Sequence, residues 1–225
     1  MGSYRQRGAA AELTFLRRLL ATSAAVDDHE SLLRAVIDET REATRSDVCS
    51  FYLWEPEPAE LVLTATNGLS RAGIGKVRLG LGQGVTGAVA EQGRPLSVPD
   101  VRLEPRFEWV QGLDQERFLS MLSVPVLVGE RLVGVLNVQT SEVRKHRPQE
   151  VALLMAIGGH VAGIIQKSAL VDELRLLQRQ RTELLMTLGH DIGSALTIAR
   201  SHLGTVNARA GPELRESALL ATEEL

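Results

Sequence analysis

The apolar positions change period twice along the chain, and those changes divide it into helices, strands and a long final helix. Over residues 9–25, Leu13, Leu16, Leu20 and Ala24 recur at helical spacing. Asp27, Asp28 and Glu30 then supply cap and first-turn acids, with His29 read as a helix-start residue. Leu32, Leu33, Val36, Ile37 and Thr40 form the apolar face of the helix that follows. Residues 48–54 (VCSFYLW) and 60–66 (ELVLTAT) are β-prone runs joined by the turn EPEPA, and Asn67-Gly68 ends the second. A short strand KVRL leads into the glycine-rich residues 79–93, with a helix expected over 85–92, and then into PLSVPDV. SMLSVPVLV (120–128) and RLVGVLNVQT (131–140), separated by Gly129-Glu130, have the form of a hairpin with a two-residue loop. Pro148 opens a helical pattern that runs past His190 without a Gly-Pro break. This order predicts an α+β fold, an antiparallel sheet with helices on one side.

The final helix carries its own pattern. Leu170, Leu174, Leu177, Leu184 and Leu188 follow alternating four- and three-residue steps, with Arg181 filling the gap. That is a coiled-coil seam and predicts a parallel homodimer. Leu184, Leu188, Ile192, Leu196, Ala199 and Leu203 continue an apolar stripe, while His190 points roughly 200° away from Leu188. Ser194 and Thr197 fall on the face of His190. Gly211-Pro212 marks a turn, and residues 212–225 begin another helix.

Charge and cysteine use narrow the function. A net charge of −3 with scattered Lys and Arg gives no basic field for nucleic acid. The single cysteine, Cys49, excludes an internal disulfide and any Cys-cluster metal site, and no metal is expected. A reducing, cytoplasmic location is the default. With no apolar run near the ~20 residues of a spanning helix and no signal-type N-terminus, no membrane association is expected.

His190, with Asp191 beside it and Ser194 one turn on, has the parts of a phosphoryl acceptor: a nucleophilic imidazole and a carboxylate that can hold its other N–H. Residues 185–197, LMTLGHDIGSALT, resemble the H-box of sensor histidine kinases, approximately F-x-A-x-x-S-H-E/D-x-R-T-P-L-T. His190, Asp191, Ile192, Leu196 and Thr197 match, and Ser194 stands for Thr. Gly189, Gly193 and Ala195 depart, replacing Ser, Arg and Pro. The resemblance implies phosphorylation of His190 from ATP with Mg, Asp191 as base, Ser194 orienting water in the reverse reaction, and a response regulator receiver domain as partner. No ATP-lid boxes follow the H-box, so the chain reads as the input and acceptor part of a kinase, unable to autophosphorylate alone.

A broader resemblance covers residues 13–167. VRLGLGQGVTGAVAEQGRPLSVPDV, then SVPVLVGERLVGVLNVQT and PQEVALLMAIGGHVAGII, is similar to GAF domains, which implies a PAS-related, small-molecule-sensing and dimerising module. The expected organisation is a tail or tag remnant over 1–8, a GAF-like sensor over 9–167, a coiled-coil signalling helix over 168–182, and a partial dimerisation and phosphotransfer hairpin over 183–225. Gly82-x-Gly84-x-x-Gly87 matches a dinucleotide fingerprint, but the short polar strand before it and the hairpin after it are not a βαβ unit. These glycines are instead expected to shape a tight turn into a helix lining the module's cavity. The long connection 101–118 carries Arg106, Phe107 and Trp109, a candidate lid with apolar walls and a charge. Tyr52 and Met121 complete the candidate ligand-binding set. The ligand itself is unspecified: no cyclic-nucleotide pattern, bilin-type cysteine or haem-type histidine is placed. Cys49, on a strand, is expected to be buried and inert, and His160 to be a packed or interface residue. The alternative is a binding and dimerisation module with an inert H-box. A nicotinamide oxidoreductase would need cofactor binding at Gly82–Gly87.

Overall fold

A computed structural model describes residues 29–209. The helix expected over 9–25 and the turn at Gly211-Pro212 lie outside them. The described elements are α1 (His29–Thr44), β1 (Val48–Glu55), β2 (Glu60–Asn67), β3 (Arg78–Gly80), α2 (Gly84–Gln92), β4 (Leu96–Val98), β5 (Ser120–Val128), β6 (Arg131–Thr140) and α3 (Pro148–Arg209). The strands form one sheet in the order β3-β2-β1-β6-β5-β4, every neighbouring pair antiparallel. The β5–β6 hairpin turns at Gly129, whose φ of 61° suits the tight loop.

Alternation along the strands assigns each side chain to a face. On one face Cys49 and Phe51 of β1, Leu122 and Val124 of β5, and Leu136 and Val138 of β6 meet Leu33, Val36 and Ile37 of α1. Leu154, Ile157, Val161 and Ala162 of α3 close the same core. Thr40 and Thr44 are buried on α1, and each hydroxyl donates to the carbonyl four residues back, so neither is left unsatisfied. Burial pushes the Cys49 thiol's pKa up, reinforced by the nearby Asp38 carboxylate, so the thiolate is strongly disfavoured.

The expectation of helices on one side requires correction. On the opposite face Tyr52, Leu61, Leu63 and Val135 pack with Val89 and Ala90 of α2, and Met121 packs with Val85. Both faces of the central strands are covered. β1 is buried through its first five residues and β5 through its first seven.

The chain divides into two compact units between Ser168 and Ala169. Helix α3 contains an 18-residue window of mean hydropathy 1.3, long and apolar enough by composition to cross a membrane. The expectation that no such run exists is thus corrected, although Leu154, Ile157 and Val161 of the same helix lie in the sheet's core.

Candidate functional site

Two places carry candidate chemistry, one in each unit. The first is a cavity between the sheet and the α2 side. Its floor is made by alternate residues of three strands: Ser50 and Tyr52 from β1, Met121 from β5, Asn137 and Gln139 from β6. Gly84, Val85 and Thr86 at the start of α2 form one wall, and Phe107, Glu108, Val110 and Gln115 of the 101–118 connection close it. The cavity has a volume of about 30 Å³, enough for one or two waters. A larger solute requires the connection to move.

The glycine run sets the geometry of this wall. Gly84 has a φ of 62°, a region that L side chains rarely adopt. A Cβ on Gly87 would lie 2.3 Å from the Gly80 carbonyl oxygen, so the turn and helix approach too closely for any other residue. Gln83 ties this turn to the connection: its Oε1 accepts from Gly80 N–H at 3.0 Å and its Nε2 donates to Glu108 Oε2 at 3.0 Å. Gln115 Nε2 donates to the Glu108 carbonyl at 3.2 Å.

The polar groups below this lid form a short buried chain. Ser123 Oγ donates to Asn137 Oδ1 at 2.5 Å, and Asn137 Nδ2 donates to Thr86 Oγ1 at 3.0 Å. Gln139 is less well served. Among the described residues its Nε2 reaches only Met121 Sδ, at 3.7 Å, and its buried Oε1 has no hydrogen-bond partner. Burial raises the Tyr52 phenol's pKa, which keeps it neutral.

Of the five ligand-binding candidates, Tyr52, Phe107 and Met121 line the cavity. Arg106 and Trp109 are absent from its lining and are exposed. Arg106 is held by Glu104 two residues away through Nε–Oε1 at 2.6 Å and Nη2–Oε2 at 3.1 Å. That contact lowers the Glu104 carboxyl's pKa. Trp109 stacks edge-on against Phe107, with ring centroids 4.9 Å apart. The cavity's polar residues Ser50, Thr86, Asn137 and Gln139 were not foreseen. Their signal was available on β6, where Asn137 and Gln139 break an otherwise apolar strand at period two.

The second place is the face of α3 around His190. The imidazole is 81% exposed and the Asp191 side chain 69%. His190 Nδ1 lies 3.4 Å from Asp191 Oδ1, near the outer limit of a hydrogen bond. His190, Ser194, Thr197 and Ile198 share a shallow hollow with Gly189 and Gly193. Thr197 Oγ1 is turned to its own helix and donates to the Gly193 carbonyl at 2.8 Å. The seam residues Leu170, Leu174, Leu177, Leu184 and Leu188 are all more than half exposed.

Comparison with known proteins bears on the first unit. The GAF domain family model matches residues 28–165, more than half of the chain. A protein of Escherichia coli, "Phosphoenolpyruvate-dependent phosphotransferase system", is 29% identical over 70% of this chain and 21% of its own length. The nitrogen fixation protein VnfA of Azotobacter vinelandii is 32% identical over 39% of this chain and 17% of its own. The chain thus spans about a fifth of the length of the curated relatives it matches. Among solved structures, the GAF domain of a phosphoenolpyruvate-protein phosphotransferase from Coxiella burnetii is similar, with a TM-score of 0.68 and 28% identity. The match covers 73% of this chain and 98% of that one. With its six-stranded antiparallel sheet and cavity beneath α2, the chain belongs to the GAF domain family.

Proposed function

We propose that this chain is the signal-input and phospho-acceptor portion of a cytoplasmic two-component sensor histidine kinase, with a GAF module as sensor and His190 as phosphorylation site. The observation that carries this reading is the exposed imidazole with a carboxylate on its Nδ1 side, within a segment that resembles an H-box. Asp191 accepting from Nδ1–H selects the tautomer whose lone pair is on Nε2. Nε2 attacks the γ-phosphorus of ATP, the bond to the β,γ-bridging oxygen breaks, and ADP leaves. Asp191 offsets the positive charge that develops on the ring. A receiver-domain aspartate then takes the phosphoryl group as the P–N bond breaks. Ser194, in the hollow of His190, is the candidate to orient water for dephosphorylation. ATP and Mg would be supplied by a separate catalytic domain. The exposed leucine seam supports assembly with a second copy of the chain.

The test is incubation of the chain with a histidine-kinase catalytic domain and labelled ATP with Mg. Wild type is expected to take up acid-labile phosphate and His190→Gln none. An unlabelled wild type, or a labelled His190→Gln, overturns the proposal.

The second reading is a GAF-type ligand-binding and dimerisation module with an inert H-box. Gly193 and Ala195 favour it, since they replace the Arg and Pro of the kinase pattern. So do relatives whose names place them in a phosphotransferase system and in nitrogen fixation. This reading predicts no label under the same conditions.

A further inference from the structure

We propose that the cavity beneath α2 selects small, uncharged solutes carrying a carboxamide or urea group, and excludes anions. The inference rests on reading the first unit as a ligand sensor and adds the chemical class of ligand. Gln139 is 4% exposed, lines the cavity, and leaves Oε1 unpaired. Its Nε2 has only a thioether sulfur at 3.7 Å, the long, weak contact of a poor acceptor. Both ends of one buried amide are therefore available together. A second amide satisfies both at once, its N–H donating to Gln139 Oε1 and its carbonyl accepting from Nε2.

Three neighbouring buried polar groups are already occupied. Ser123, Asn137 and Thr86 satisfy one another in a chain. Charge then decides against anions: among the described residues no Lys, Arg or His lines the cavity. Arg106, the nearest candidate cation in sequence, is held outside by Glu104. The one charged residue type in the lining is Glu108, an acid rather than a cation. Desolvating an anion here would find no compensating cation.

Acetamide and acetate have nearly the same size and shape and differ in charge and donors, so they form the test pair. Each is titrated into the full chain carrying Trp54→Phe, which leaves Trp109 as the fluorophore; its ring contacts Phe107 of the cavity wall. Acetamide is expected to change Trp109 emission. At tenfold excess over its dissociation constant it is expected to raise the melting temperature by about 3–6 °C. Acetate at equal ionic strength is expected to do neither. Gln139→Met, similar in volume but without the amide, should fold with no loss of melting temperature and lose the acetamide response. An equal response to acetate, a response retained in Gln139→Met, or no response to acetamide in the parent chain overturns the proposal. The last outcome would leave Gln139 a partner for water only. None of these readings involves His190, so failure here and failure of phosphoryl transfer are separate results.

Discussion

Replacing Gly87 with alanine tests whether the glycine turn holds the cavity's wall by close approach. The added Cβ would sit 2.3 Å from the Gly80 carbonyl oxygen and 3.2 Å from Gly82 N, where ordinary contact begins near 3.4 Å. The turn and α2 must therefore separate by roughly 1 Å, a displacement taken by backbone on both sides. Overpacking of this kind costs about 1–3 kcal/mol. The Gly82 N–H bond to the Gly87 carbonyl, 2.9 Å long, is strained by the same movement, adding about 1 kcal/mol. Alanine's helix propensity returns about 1 kcal/mol. The net expectation is a destabilisation of about 1–3 kcal/mol, or roughly 3–9 °C in melting temperature. Gly159→Ala is the control. Gly159 is also a helix glycine, but nothing lies within 4 Å of its Cβ position, so that variant should gain about 1 kcal/mol. Urea unfolding followed by far-UV circular dichroism measures both. If Gly87→Ala is as stable as wild type, close approach does not position α2, and the account of the glycine run fails.

Two further predictions concern α3 and its start. His146 is buried, with Nδ1 3.0 Å from Ser97 Oγ, and its pKa is lowered by burial and by Arg144, with Glu150 opposing. The unfolded chain therefore binds the proton first, and stability is expected to fall as the pH drops below about 6.5 towards the folded-state pKa. His146→Gln should flatten that part of a melting-temperature profile, and an unchanged slope would refute the assignment. Along α3, Ile157 is 1% exposed and Leu177 54%. Ile157→Ala should cost about 2–5 kcal/mol in urea unfolding. Leu177→Ala should leave the stability of the sheet unit within about 0.5 kcal/mol but weaken self-association in sedimentation. A wild type that sediments as a monomer removes the seam.

Much of the frame was legible because it rests on local rules. The bounds of β5 and β6 and the start of α3 at Pro148 follow from β-prone runs, a glycine turn and a helix-opening proline. What failed was non-local. VCSFYLW carries large apolar or aromatic side chains at both odd and even positions, the mark of a strand buried on both faces. Taken so, it would have placed a helix on each side. In the 101–118 connection, of the two aromatics expected as walls, Phe107 lines the cavity and Trp109 does not. Arg106 was drawn away by a carboxylate two residues off, a pairing that spacing alone does not select over the cavity. Asn137 and Gln139 break β6 at period two, but whether such a pair lines a cavity or faces water depends on what covers that face, which is non-local.

β6 contributes both to the cavity and to the seat of α3 within the sheet unit. Its odd-numbered side chains Asn137 and Gln139 face the cavity. Its even-numbered Leu136 and Val138 pack in the core that holds Leu154, Ile157 and Val161 of α3. One strand is therefore the floor of the cavity and the seat of the helix. It is also central, hydrogen-bonded to β1 on one side and β5 on the other. A solute that draws Gln139 towards itself acts on the backbone carrying Val138, and a close-packed core has no void to absorb the shift. The same strand works in reverse, since any reseating of α3 on Leu136 and Val138 repositions the amides. Coupling through one shared backbone requires no longer pathway, and by linkage it is reciprocal. The apolar half of β6 seats α3, and its polar half lines the cavity.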